Sequence, residues 1–216
     1  MKTNKFLLAI LFTATLFMVA CSGGQESSEA EKSTEENMEA ETEDASMDDF
    51  VVSTEDSKVM WRGEMMGLYA HEGTVNVSEA ELMMENGQIS GGSFVVDLTS
   101  ITPMDENFNP EEGQTQEKLV GHLSSPDFFA VDSFPTASFT IESVEGNTAS
   151  GTLTIRGKSN SETVENITFS EEEGRRVVRG TMSFNRMNYD VSFELPVADK
   201  VISEDIQLDI KLIASK

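Results

Sequence analysis

The sequence predicts an all-β domain of about eight antiparallel strands with one short helix, and three observations predict it. From Phe50 onward apolar residues recur at every second position, turn-forming residues separate these runs at hairpin spacing, and a single stretch shows helical spacing instead. Alternation of this kind buries one face of a strand and leaves the other to water. In chain order the runs are Val59/Trp61, Val75/Val77, Phe94/Val96/Leu98, Phe139/Ile141, Leu153/Ile155, Ile167/Phe169, Met182/Phe184 and Ile206/Leu208/Ile210/Leu212. Between them lie Glu85-Asn86-Gly87, Glu145-Gly146-Asn147, Lys158-Ser159-Asn160 and Glu172-Glu173-Gly174, rich in the Asn and Gly that tight hairpins need. Links this short make sequence neighbours into sheet neighbours, an antiparallel meander of strands about eight to ten residues long. A closed barrel and an open sandwich would share this alternation, so periodicity leaves both open. The helical stretch spans residues 111–125, with Leu119, Val120 and Leu123 on one face and Pro126 to stop it. It is expected to cross or plug one opening.

The first fifty residues are different in kind. Lys2 and Lys5 precede the apolar run Phe6-Leu7-Leu8-Ala9-Ile10-Leu11-Phe12, which predicts a secretory signal peptide over residues 1–20. The run is short for a membrane-spanning helix. Met18-Val19-Ala20-Cys21 resembles a bacterial lipobox, with Met18 where leucine is usual, and implies a lipid-acylated Cys21 anchoring the chain to a membrane. Cys21 is the one cysteine, so no disulfide forms within the chain. Left unmodified in an oxidising compartment, its thiol would instead favour a homodimer. Residues 22–49 are almost all Glu, Ser, Ala, Thr and Asp, too polar to offset the entropy of ordering. They are expected to form a disordered acidic tether, so that residues 21–49 link the membrane to a folded domain at 50–216. The formal charge is −24; removing the tether (about −10) and the two signal lysines (+2) leaves about −16 for that domain. Nucleic acid is excluded as a partner, because binding it requires Lys and Arg to displace counterions from phosphates.

Several blocks carry a family resemblance. Leu119-Val120-Gly121-His122-Leu123-Ser124-Ser125-Pro126-Asp127-Phe128-Phe129, continuing through Phe134-Pro135-Thr136-Ala137-Ser138-Phe139, resembles the YceI-like polyisoprenoid-binding family. Gly151-Thr152-Leu153-Thr154-Ile155-Arg156-Gly157 is similar to that family's Gly-x-Leu-Thr-x-x-Gly strand, with Trp61-Arg62-Gly63, His71-Glu72-Gly73 and Phe184-Asn185-Arg186 as weaker echoes. The chain departs from the pattern at Lys158-Ser159 and at Asn185. The resemblance implies a lipocalin-like antiparallel β-barrel with the helix near one opening, and a long apolar cavity. It further implies a bound isoprenoid lipid, quinone or polyprenyl in type, with no cofactor.

Each CH₂ withdrawn from water contributes about 0.8 kcal/mol, so a prenyl tail leaves a membrane only for an equally dry interior. Trp61, Phe94, Phe139, Leu153, Phe169, Phe184, Leu208 and Ile210 share the inward phase and are the candidate wall, although each could equally fill a closed core. Phe128 and Phe129 are candidates for the mouth, or for anchoring the loop after the helix. Two polar residues share the apolar phase: His71 with Val75 and Val77, and Arg186 with Met182 and Phe184. A buried arginine must meet an acid, a carbonyl cluster or a ligand's oxygens. Asp97 or Asp190 could pair with it, as could a quinone carbonyl or pyrophosphate. For His71 a structural hydrogen bond competes with ligand contact, and His122, in the helix and not in a wall, is expected to cap or latch it.

No HExxH, paired-cysteine set, GxSxG elbow or glycine-rich phosphate loop occurs, and nothing marks out one acidic pair among 39 Asp and Glu. The expected function is therefore non-enzymatic carriage or storage of an isoprenoid at the cell envelope, in the periplasm or on an outer-membrane anchor. The alternative is an envelope-anchored protein-interaction module with a filled core, and a hydrolase ranks below both.

Overall fold

The computed structural model describes residues 50–65, 68–193 and 202–215. The signal peptide, Cys21 and the acidic tether lie outside the described residues. The alternating runs form β1 (Phe50–Val52), β2 (Lys58–Met65), β3 (Tyr69–Glu85), β4 (Gln88–Pro103), β5 (Thr136–Glu145), β6 (Thr148–Ile155), β7 (Lys158–Glu172), β8 (Arg175–Asn185) and β9 (Ile202–Ser215), with one helix, α1 (Gln116–Ser124). From β2 to β9 each strand pairs antiparallel with the next. β9 then returns to β2 in a ladder running from Lys58↔Lys211 through Trp61↔Leu208 to Met65↔Ile202. The result is a closed eight-stranded antiparallel barrel, which decides between the two architectures that alternation alone allowed.

β1 was not legible as an alternating run. It occupies the lane of β2 beyond Lys58, with Val51 opposite Glu81 of β3 and Ser215 of β9. Between β1 and β2 the chain loops out for one turn, and the buried Ser57 mends the gap by accepting a hydrogen bond from the Ile213 amide at 2.9 Å. Several strands exceed the expected eight to ten residues, β3 reaching 17 and β4 16. Register shifts such as those at Val77/Glu79 and Glu165/Thr168 let the long strands bend around the barrel without losing their pairing.

Three tight turns lie at one end of the barrel: Asn86-Gly87, Gly146-Asn147 and Glu173-Gly174. The fourth expected turn is corrected. Lys158-Ser159-Asn160 begins β7, and the chain reverses at Arg156-Gly157 with φ values of 51° and 71°. A two-residue turn with both φ positive favours glycine in its second place, and Gly157 supplies it. Arg156 holds this turn at the other end of the barrel by donating to the carbonyls of Phe128 and Asp190.

That other end carries α1. Thr115 caps it by accepting from the Lys118 amide at 3.3 Å, and the Ser125 hydroxyl donates to the His122 carbonyl at 2.7 Å just before Pro126. The expected helical span of 111–125 shortens because Pro110–Glu112 is a separate 3₁₀ turn. Leu123 is buried in the barrel core and Leu119 packs partly against it, so the helix lies across the opening.

The two ends of the interior are filled differently. Toward the hairpin end Phe139, Leu82, Met84, Ile89, Val178 and Leu212 are buried against one another, leaving a void of only about 30 Å³. The Phe139 ring lies directly over Gly151, where a Cβ would approach it to 2.9 Å and the Thr140 carbonyl oxygen to 2.1 Å. Gly121, in the middle of α1, has open space beside it. The two glycines should therefore respond oppositely to alanine in urea unfolding. Gly151→Ala should destabilise by about 1–3 kcal/mol through overpacking, whereas Gly121→Ala should stabilise by up to about 1 kcal/mol through helix propensity.

Candidate ligand-binding cavity

Toward the helix end the inward faces do not meet. Residues from every barrel strand except β7, together with α1 and the segment after it, enclose a cavity of about 290 Å³. Its wall is overwhelmingly apolar. Trp61 illustrates how the sequence shapes it: the indole lies against Gly73, where a Cβ would come within 2.7 Å of the ring, and its Nε1 donates to the Thr74 carbonyl at 3.3 Å. The polar edge of the only tryptophan is thereby satisfied by backbone, and its apolar faces are left for the cavity.

Eight of the sequence-nominated residues come together on this wall. Trp61, Phe94, Leu153, Phe184 and Leu208 project from the barrel strands, Phe128 and Phe129 from the segment after α1, and His71 from β3. Phe94 marks the floor, lining the cavity above and the packed core below, with its ring 5.8 Å from that of Phe139. Phe128 and Phe129 meet edge to face at 5.2 Å, and His122 reaches the wall from α1 between Phe128 and Phe193, at 5.4 and 4.3 Å. His122 thus latches the helix through ring contacts.

Four nominated residues lie off the wall. Phe139 and Ile210 are inward as expected, but sit below the floor in the filled half. Phe169 pairs with Val178 near the hairpin end and is 46% exposed; β7 is longer than expected, so this phase-matched residue falls at the rim. Arg186 is buried, as its phase requires, yet it stands on the 3₁₀ turn Arg186–Tyr189 that follows β8 and not in a strand. There its guanidinium donates to the carbonyls of Val191 and Ser203, the latter at 3.0 Å, the carbonyl cluster that was one of the partners expected for it. The two acids considered for it are engaged elsewhere: Asp97 accepts from Thr99, and Asp190 pairs with Lys158 at 3.1 Å.

Sequence reasoning missed further wall residues. Tyr69, Ile101, Ile155 and Phe193 contribute, as does Glu64 at the edge. Ile155 shares the inward phase of Leu153 and was recoverable from it. Ile101 is out of phase with Phe94 and Leu98 because the β3–β4 register shifts between Asp97 and Thr102, and Phe193 lies between the last two alternating runs, so neither carries such a signal. Asp105 was equally hidden, one acid among 39. It sits in the segment after β4 and accepts from His71 Nδ1 at 3.1 Å, the Glu72 amide at 3.1 Å and the Asn107 amide at 2.9 Å. Asn107 in turn donates to the Ala70 carbonyl at 2.8 Å, lacing the segment to β3. Burial alone would raise the Asp105 carboxyl, but the two amides and the His71 ring outweigh it and hold it below the ordinary carboxylate value. Phe108 stacks on the imidazole at 5.1 Å and Tyr69 meets it edge-on at 5.1 Å, so the ring is fixed in place.

The YceI-like domain model matches residues 50–214. The UPF0312 protein SA2479 of Staphylococcus aureus is 32% identical over 101 residues, covering 43% of this chain and 59% of that protein, so the chain spans well under two thirds of its curated relatives. In three dimensions the barrel is similar to the crystal structure of Burkholderia cenocepacia BcnA, at a TM-score of 0.60 and 19% identity, over 76% of this chain and all of that one. This likeness places the chain in the same fold.

Two outcomes follow. If the cavity is a true hollow, Ala137→Leu on its wall should leave urea stability within about 0.5 kcal/mol or raise it, by filling space; a filled interior would lose about 1–3 kcal/mol. For Asp105 the folded carboxyl titrates below its unfolded value, so its contribution is complete above about pH 3.9 and is lost as pH falls through the lower folded value. Asp105→Asn should therefore be less stable than the parent at neutral pH, the gap closing below about pH 4 in unfolding curves taken at several pH values.

Proposed function

The chain belongs to the YceI-like domain family, and from that premise we propose that it binds and carries or stores one isoprenoid lipid, of quinone or polyprenyl type, without catalysing a reaction. The single observation that carries the reading is the asymmetric interior: one half packed solid, the other an apolar hollow of about 290 Å³ under a helix. That volume is at the low end of ligand cavities. A short prenyl group fits within it, and a longer tail extends out past α1. One feature favours binding over chemistry: the wall is almost wholly apolar.

The alternative of an interaction module required a filled core, and the open half of the barrel argues against it. Acylation of Cys21 would hold the domain at the cell envelope, on the periplasmic side or on an outer-membrane anchor, with residues 22–49 as tether. In that arrangement the barrel can meet a membrane without being part of it.

The experiment is organic extraction of the protein purified from its native envelope, followed by mass spectrometry. One isoprenoid per chain is the expected yield. A folded protein that neither releases nor takes up any isoprenoid would contradict the proposal.

A further inference from the structure

The polar groups on the cavity wall are few and one-sided. Among the described residues none is Lys or Arg; the ionisable ones are Glu64, Tyr69, His71 and His122. Asp105, behind His71, adds a carboxylate whose side chain is only 5% exposed and which its hydrogen bonds keep ionised. An anionic head group drawn into this site would lose its water, find no Lys or Arg on the described wall, and meet Glu64 among the lining residues.

His71 supplies a positive criterion. An ionised carboxylate can only accept, so His71 Nδ1 must carry the proton shared with Asp105. In the neutral ring the lone pair is then left on Nε2, which has no hydrogen-bond partner among the described residues. Turning the ring over would carry Nδ1 away from Asp105 and break that hydrogen bond. On a mostly apolar wall His71 thus offers an acceptor of fixed orientation, beside the Ser138 hydroxyl and the ionisable groups named above.

Resting on the lipid-binding reading above, we propose that the cavity selects an uncharged head group that donates a hydrogen bond, such as the hydroxyl of a prenol or quinol, to Nε2 of His71, and rejects prenyl phosphates. Asp105 is then a positioning residue, acting through the imidazole. The selection separates two ligand types that the apolar wall alone treats alike, because a prenyl tail has the same dry environment whichever head it bears.

Trp61, the one tryptophan, lines the cavity and reports occupancy by its fluorescence. The full chain is titrated with three probes sharing one C20 tail: geranylgeraniol, geranylgeranyl diphosphate and the parent hydrocarbon. The alcohol should bind at least about tenfold more tightly than the diphosphate, and about fivefold more tightly than the hydrocarbon, the worth of one hydrogen bond. His71→Phe keeps an aromatic ring in the stack but removes the acceptor, so the ratio of alcohol to hydrocarbon affinity should fall to about one, whatever happens to the absolute affinities. A diphosphate that binds as tightly as the alcohol overturns the proposal without the need for any variant, and so does an alcohol preference that survives His71→Phe. Failure of all three probes would instead strike the lipid-binding reading beneath it.

Discussion

The pairing of the first long strand with the last is the constraint on which the rest of the structure depends. β2 and β9 are separated by most of the domain's sequence, and their ladder turns a meander into a closed wall with an inside. Once the wall is closed, every strand has a fixed inward phase, and the interior must be either filled or left empty. Ser57 shows how closely closure is maintained. Where β1 and β2 part for one turn, a buried hydroxyl takes over the backbone acceptor's role toward Ile213.

This barrel is filled at one end and left empty at the other, and the difference is written in particular residues. Phe139 presses on Gly151 and completes a packed floor with Phe94. Above that floor Gly73 draws the Trp61 indole flat against the wall, and small residues such as Ala137 leave space. Arg156 and His122 then fasten the covering segment, one through the carbonyls of Phe128 and Asp190 and the other through aromatic edges. The Thr74 carbonyl satisfies Trp61 Nε1, and Asp105 orients His71 on a wall that is otherwise mostly apolar.

Much of this was legible before any coordinates. Alternation gave the eight barrel strands and the inward phase of Trp61, Phe94, Leu153 and Phe184; helical spacing before Pro126 gave α1 and its place at an opening. The unread parts share a physical cause: period two specifies a face but not a height along the barrel. Phe139 and Ile210 point inward like their neighbours and yet lie below the floor, while Phe169 lies at the rim. Long-range polar pairing was equally invisible, since nothing in the order of residues ties His71 to Asp105 across 34 positions. Arg186 shows the intermediate case. Its burial followed from phase, but its carbonyl partners follow from a 3₁₀ turn that periodicity does not encode.

The central claim is that space in the upper barrel is built to be occupied by a lipid tail. A crystal structure of the protein isolated from its own envelope, without added ligand, tests it most directly. Continuous elongated density running from the Phe94 floor past Trp61 and His71 toward α1 is the predicted result. Side chains collapsed together through that region, leaving no room for a tail, would contradict the account.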